Sequence, residues 1–379
     1  MGSILIIAGE NSGEKHGAQL VRQFKKIQPS FTFYGIGGQH MAEEGVRLLY
    51  SVEDLALVGF FEIITHIPRL KRIFNHLEKE TQRSNPVAAV LIDSPDFNLR
   101  LAKRLKKLSI PVLYYVSPTV WAWRRRRLKA IKKTVEKMLL IFPFEEKIYK
   151  QNSIPAIYIG HPLKERVKLS LSRENFLKKH KLDSGKIIIL ILPGSRKSEV
   201  KYHMPTLIQA IENIKREFDA QFLLLLAENL KEDHVTSVIP PHLDKLKILK
   251  QDGYEALAYS DIALSSCGTA NLEAALLGTP VVSFYRISPL SYHLGVRFVK
   301  IKNYSIVNIL AGEKVIPELI QRHFTAENLL RETRRILGSE TVRSEMRVHF
   351  DRINYLLGDK VASENAAREL EKMVSLANS

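Results

Sequence analysis

The chain has 379 residues, 45% hydrophobic and 8% aromatic, with a formal net charge of +17 and one cysteine. Its length exceeds one ordinary core and predicts two domains, while the lone Cys267 excludes a disulfide framework or multi-cysteine metal site and fits the reducing cytoplasm. Neither a charged leader with a long apolar run nor the roughly 20 apolar residues of a membrane span is visible, so a chain without signal peptide or span is expected.

Short β-branched runs alternate with helical stretches, which predicts an α/β protein with parallel sheets built from βαβ units. The first-half strands are read at 4–8, 32–35, 88–93, 111–116, 137–142 and 156–159. Gly9-Glu10-Asn11-Ser12-Gly13 follows the first of them and leads into a helix. Ser12 and the loop backbone could hold a phosphate or hydroxyls, and a plain strand-to-helix turn fits as well. Gly35-Ile36-Gly37-Gly38 has His40 where a dinucleotide fingerprint needs glycine, and no acid follows on the next strand.

Residues 57–74 set large apolar side chains (Val58, Phe60, Phe61, Ile64) beside Arg69, Lys71 and Arg72. Such a segment can lie in a lipid interface, although an amphipathic helix packed on a sheet is the preferred reading of the pattern alone. Further basic clusters occur at 100–107 and 124–133, a field that attracts nucleic acid, anionic membrane or phosphorylated substrate without choosing among them.

Asp93 ends the apolar run 88–92, where a parallel strand delivers residues to a ligand cleft, and Pro95 disfavours helix at Ser94. A carboxylate there is the preferred general base. Asp96 is read instead as a cap of the helix that follows. After the strand ending at Val116 comes Ser117-Pro118-Thr119-Val120-Trp121-Ala122-Trp123, with two tryptophans that fit either core or site. His161, in Gly160-His161-Pro162, falls at the expected domain junction and is read as structural.

Beyond the polar stretch 164–185, strands are read at 187–192, 221–226, 246–249, 262–265 and 280–284. Two of them end in glycine turns: Leu192-Pro193-Gly194-Ser195-Arg196 and Ser266-Cys267-Gly268-Thr269-Ala270, with Glu273 one turn further. Strand, glycine, then helix directs backbone N–H groups and a helix dipole at one spot, which suits a diphosphate. Arg196 adds a planar fork of donors, and Glu273 could accept from ribose hydroxyls. From Thr325 three helices and no further strand are expected. No Walker lysine loop, G-x-S-x-G elbow, H-E-x-x-H or D-x-D pair occurs.

Taken in order, the motifs at 9–13, 93–98, 117–123, 160–162, 192–196 and 268–273 resemble lipid-A-disaccharide synthase over nearly the whole chain. The resemblance implies an inverting, metal-independent glycosyltransferase of the GT-B fold, two Rossmann-like domains facing a cleft, using no cofactor. It implies transfer from UDP-2,3-diacylglucosamine to the 6-hydroxyl of 2,3-diacylglucosamine 1-phosphate, releasing UDP, by a peripheral protein at the inner face of the inner membrane.

By the same resemblance Asp93 is the base, and Gly194, Ser195, Arg196, Gly268, Thr269, Ala270, Glu273 and Asn308 hold the nucleotide sugar. Glu10, Ser12 and Gly13 serve the acceptor. Residues 57–74 become a membrane-facing docking surface for the diacylated substrates, the basic clusters gain a partner in the anionic inner-membrane surface, and no nucleic-acid partner is expected. The implied domains are 1–165 for the acceptor, 166–340 for the UDP-sugar, and 341–379 as helices crossing back to the first domain or swapped in a homodimer. Glu14 departs from the aspartate usual in the family's glycine motif. A soluble UDP-N-acetylglucosamine transferase or epimerase of the same fold is the runner-up, followed by a non-catalytic nucleic-acid-binding protein.

Overall fold

Ile4 to Ile7 offer no polar residue for a solvent face, and this segment forms a strand buried on both sides. The computed structural model describes residues 2–56, 63–121, 125–243, 246–288 and 302–377. Its chain divides into two units, Met1–Glu165 with Asp359–Ser379, and Arg166–Gly358.

In the first unit β1 (Ser3–Ala8), β2 (Thr32–Gly37), β3 (Val46–Ser51), β4 (Ala88–Ile92), β5 (Val112–Tyr115), β6 (Lys137–Leu140) and β7 (Ala156–Tyr158) form one sheet in the order β3-β2-β1-β4-β5-β6-β7. All neighbours are parallel. The two-residue period of a strand sorts side chains between two cores. Leu5, Ile7, Ala89 and Leu91 enter one, and Ile4, Ile6, Val90 and Ile92 the other.

Helix Asn11–Ile27 and the last helix, Ala362–Ala377, pack together over the second core, where Ala366, Leu370 and Met373 are buried. Of the stretch 341–379 only the part from Asp359 joins this unit. Helix Glu340–Leu356, expected to cross back, packs instead on helices Thr269–Leu276 and Ala326–Leu337 of the second unit. The return is fixed by side chains. Ser363 N–H donates to Glu165 Oε1 at 2.8 Å and Asn365 Nδ2 to the Ile159 carbonyl at 2.9 Å. Gly160, at φ +106°, lies so near that an added Cβ would stand 2.3 Å from the Lys360 carbonyl oxygen.

The second unit holds β8 (Ile187–Leu192), β9 (Ala220–Leu225), β10 (Lys247–Leu249), β11 (Ile262–Ser266), β12 (Val281–Tyr285) and β13 (Glu318–Ile320), in the parallel order β10-β9-β8-β11-β12-β13. Two strands escaped the sequence reading, β3 and β13, both at sheet edges. β3 alternates only weakly because most of its residues are half-buried, and in β13 Glu318 breaks the short apolar run that leads into it.

Within segment 57–74, Val58, Phe60 and Phe61 lie outside the described residues, as does the Ile64 side chain. Helix Ile63–Ser84 buries Ile73 and Phe74, the latter stacked on Phe97 with ring centroids 4.4 Å apart. That end is ordinary sheet packing. Lys71 and Arg72 are exposed, and Arg69 pairs with Asp54.

Candidate active site

The first unit's candidate residues converge at the carboxyl end of β4. Asp93 (φ +50°) and Ser94 (φ +41°) are consecutive left-handed residues, a conformation costing an L-residue about 1–2 kcal/mol each. Hydrogen bonds hold this kink. Asp93 N–H donates to the Tyr115 carbonyl at 2.9 Å. Its own carbonyl accepts from Tyr114 OH at 2.6 Å and from Asn98 Nδ2 at 2.8 Å, and Asn98 also reaches the Ile92 carbonyl at 3.0 Å. Asn98 belongs to the motif read from sequence but received no role there, and Tyr114 passed as strand filling. Both fix the direction in which Asp93 leaves the sheet.

Gly9 explains why the first glycine loop lies here. An added Cβ would fall 2.1 Å from Ser94 Cβ, so only glycine lets the 9–13 loop touch the kink. Burial, then the nearby Glu10 carboxylate, push the half-buried Asp93 up to about 6, outweighing the Ser94 backbone hydrogen bond and the Arg127 charge. Arg127 is itself buried and pairs with Asp96 at 2.8 Å. Ser12 is exposed, and Gly13 packs on Ile92. Glu14 is buried and accepts from Met41 N–H at 2.9 Å. The departure at this position therefore caps the short helix Gln39–Glu43.

Beside this site Val116 adopts φ +68°, rare for a β-branched residue, and starts the loop that carries Trp121. Ser117 Oγ lies 2.8 Å from Tyr149 OH, and Trp121 meets Phe144 edge-on. Under the loop is Glu145, 1% exposed, its carboxyl raised to about 8 by burial against the opposing hydrogen bonds of Ser117, Phe142 and Trp121. A short acidic helix start carries no sequence signal of such burial. His161 is buried, packs on Phe142, and accepts from Leu163 N–H at 3.2 Å, which is a structural role.

In the second unit β8 and β11 are paired as far as Leu192 and Ser265, so the two glycine turns leave the sheet side by side. Gly268 and Thr269 are exposed and Ala270 half-buried at the start of helix Thr269–Leu276, whose first turn Asn271 pins by donating to Ser283 Oγ at 2.7 Å. A Cβ on Gly268 would meet nothing within 4 Å. Glu273 is half-buried one turn on, close enough to help raise the Tyr254 phenol after burial.

Two expectations change here. The Ser195 and Arg196 amides already donate to Glu199 Oε2, at 2.9 and 3.3 Å, in a capping box on helix Lys197–Glu217. The exposed Arg196 guanidinium, rather than that backbone, is what the turn presents. Gly194 (φ +125°) is needed because a Cβ would stand 2.5 Å from Glu199 Oε2. Asn308, expected in the donor site, is fully buried and saturated. Its Nδ2 donates to the Ile316 carbonyl and Glu318, and its Oδ1 accepts from Val315 and Ile316 N–H, all within 2.8–2.9 Å. No donor or acceptor on its amide is left for a sugar.

Two parallel-sheet units with glycine turns at strand ends define an α/β protein of the GT-B fold. Solved structures share the fold at low identity. A UDP-GlcNAc 2-epimerase from Neisseria meningitidis superposes with a TM-score of 0.64 at 12% identity, covering 100% of both chains. The calicheamicin glycosyltransferase does so at 0.62 and 11%, again over 100% of both.

Residues 4–371 match the family model for Lipid-A-disaccharide synthetase. The lipid-A-disaccharide synthase of Solibacter usitatus is 38% identical over 367 residues, 97% of this chain and 96% of its own length. That of Geobacter sulfurreducens is 35% identical over 365 residues, at 96% and 95%. The chain belongs to the lipid-A-disaccharide synthase family and is a glycosyltransferase.

Proposed function

We propose that the protein transfers 2,3-diacylglucosamine from its UDP donor to the 6-hydroxyl of 2,3-diacylglucosamine 1-phosphate in one inverting displacement. The observation that carries this is Asp93, held by its backbone at a strand end and raised to about 6, so that at neutral pH it is ionised yet basic enough to accept a proton. The acceptor oxygen attacks the anomeric carbon, the bond from that carbon to the diphosphate oxygen breaks, and the hydroxyl proton passes to Asp93. UDP leaves with the bonding electrons. Arg196 and the N-terminus of helix Thr269–Leu276 stabilise its charge without a divalent metal, and Glu273 receives the ribose.

The glycine loop at 9–13 serves the acceptor. No helix among the described residues is long and apolar enough to cross a membrane. The proposed location is the inner face of the inner membrane, with residues 57–74 and the cationic side chains near them, Lys71 and Arg72 included, against anionic lipid. Incubating the protein with both lipid substrates tests the reaction. Disaccharide and UDP should form in equal amounts with EDTA present, whereas turnover of UDP-N-acetylglucosamine alone would favour the epimerase reading.

A further inference from the structure

One face of helix Lys197–Glu217 carries a pair of side chains that the reaction described above leaves unused. Glu199 and His203 are one helical turn apart, 9% and 0% exposed, and both point at strand ends. His203 Nδ1 lies 2.6 Å from the Pro193 carbonyl, which can only accept, so Nδ1 carries the proton. Nε2 then accepts from Arg286 N–H at 3.0 Å. Nε2 also lies 3.1 Å from the Arg286 carbonyl, to which a second proton could be donated only by giving up that N–H, and burial lowers the imidazole's affinity for such a proton. The ring is fixed as the neutral Nδ1–H tautomer, edge-on to Phe284, Tyr285 and Phe324.

Arg286 is a rigid post. Its guanidinium donates to Thr206 Oγ1 at 2.9 Å and to the Phe324 carbonyl. Glu199 makes a parallel link, taking the Ser195 and Arg196 amides on one oxygen and Tyr285 OH at 3.2 Å on the other, with Arg196 Nη1 3.7 Å away. Both links run from the turn after β8 to the end of β12, and β11 with its Gly268 turn lies between those strands.

We propose that Glu199 and His203 are positioning residues that tie the turn after β8 to the end of β12, to which the Gly268 turn is itself joined by Cys267 N–H donating to the Phe284 carbonyl at 2.8 Å, and so hold the two turns in register and set affinity for the nucleoside diphosphate. This rests on the reading of those turns as the diphosphate site. The imidazole and carboxylate act through the backbone of residues 193–196 and through Arg196, not by touching the ligand.

The test is UDP affinity by calorimetry, with donor KM and kcat, for the full-length protein and four variants. His203→Phe keeps the ring and removes both hydrogen bonds, and should raise the UDP Kd about tenfold, about 1.4 kcal/mol, with donor KM following and kcat at saturating donor changing less. His203→Gln, whose amide can donate and accept, should recover part of the loss. Tyr285→Phe removes only one hydroxyl and should weaken UDP severalfold, a milder test should His203→Phe melt early.

Arg196→Ala separates the two ideas. If it weakens UDP while His203→Phe and Tyr285→Phe only lower the melting temperature, the clamp is wrong and the diphosphate reading stands. If none of the three alters UDP affinity, both are wrong.

Discussion

Replacing Asp93 by asparagine should slow the enzyme and stabilise it. Asparagine tolerates the left-handed backbone as aspartate does and keeps the shape, so the Tyr114 and Asn98 hydrogen bonds to the carbonyl of residue 93 survive. What disappears is the proton acceptor, and turnover should fall by roughly 10²-fold or more. The carboxyl is raised in the folded protein from 3.8 to about 6. A carboxyl that binds its proton more tightly when folded stabilises the fold below about pH 4, and that contribution is lost as pH rises through about 6. The interval corresponds to at most about 3 kcal/mol. Denaturant unfolding of both proteins at pH 4, 5, 6 and 7.5 measures it. The variant should be the more stable at pH 7.5 relative to its behaviour at pH 4, with the gap opening between those values. The wild-type kcat/KM should fall as pH drops below about 6. Parallel stability curves together with near-normal turnover in the variant would refute the assignment of Asp93 as a strained, desolvated base.

Asn308→Ala removes four hydrogen bonds at once, and takes a partner from the Ile316 carbonyl, the Val315 and Ile316 N–H groups and the Glu318 carboxylate. It should cost roughly 3 kcal/mol of stability by denaturant titration, with the surviving folded protein binding UDP as before. Glu145→Gln replaces a carboxyl raised to about 8. Activity at pH 7 should change little, and Glu145's share of the decline in stability from about pH 4.5 up to about 8, above all the part beyond the Asp93 window at about pH 6, should be absent from the variant's melting curves. For the lipid surface, Phe60→Ser with Phe61→Ser should reduce sedimentation with anionic vesicles and activity on long-chain acceptors while leaving UDP affinity intact. An early-melting double variant, beside wild-type protein that ignores such vesicles, would return that segment to the core.

The sequence by itself determined where most strands fall, because a parallel strand covered on both faces must be apolar along its whole length, as 4–8, 88–92 and 187–192 are. It likewise placed Asp93, Gly194 and Gly268 at strand ends, since an apolar run broken by an acid or glycine before helical periodicity has few other readings. β3 and β13 lay beyond that reach, because β3 is half-buried along most of its length and Glu318 breaks the short apolar run that leads into β13.

Only the tertiary structure decided what each polar group does once the elements meet. The family resemblance implies a donor-site role for Asn308, and the fold spends its amide's entire hydrogen-bonding capacity on residues 315–318. The Ser195 and Arg196 amides read as a phosphate cradle, and Glu199 occupies them. Glu145 looks like a surface acid at a helix start and is buried. Hydrophobic periodicity is a local property that survives in one dimension. Hydrogen-bond satisfaction and desolvation depend on partners from other elements, and Asn98, Tyr114 and His203 acquire their roles only through such partners.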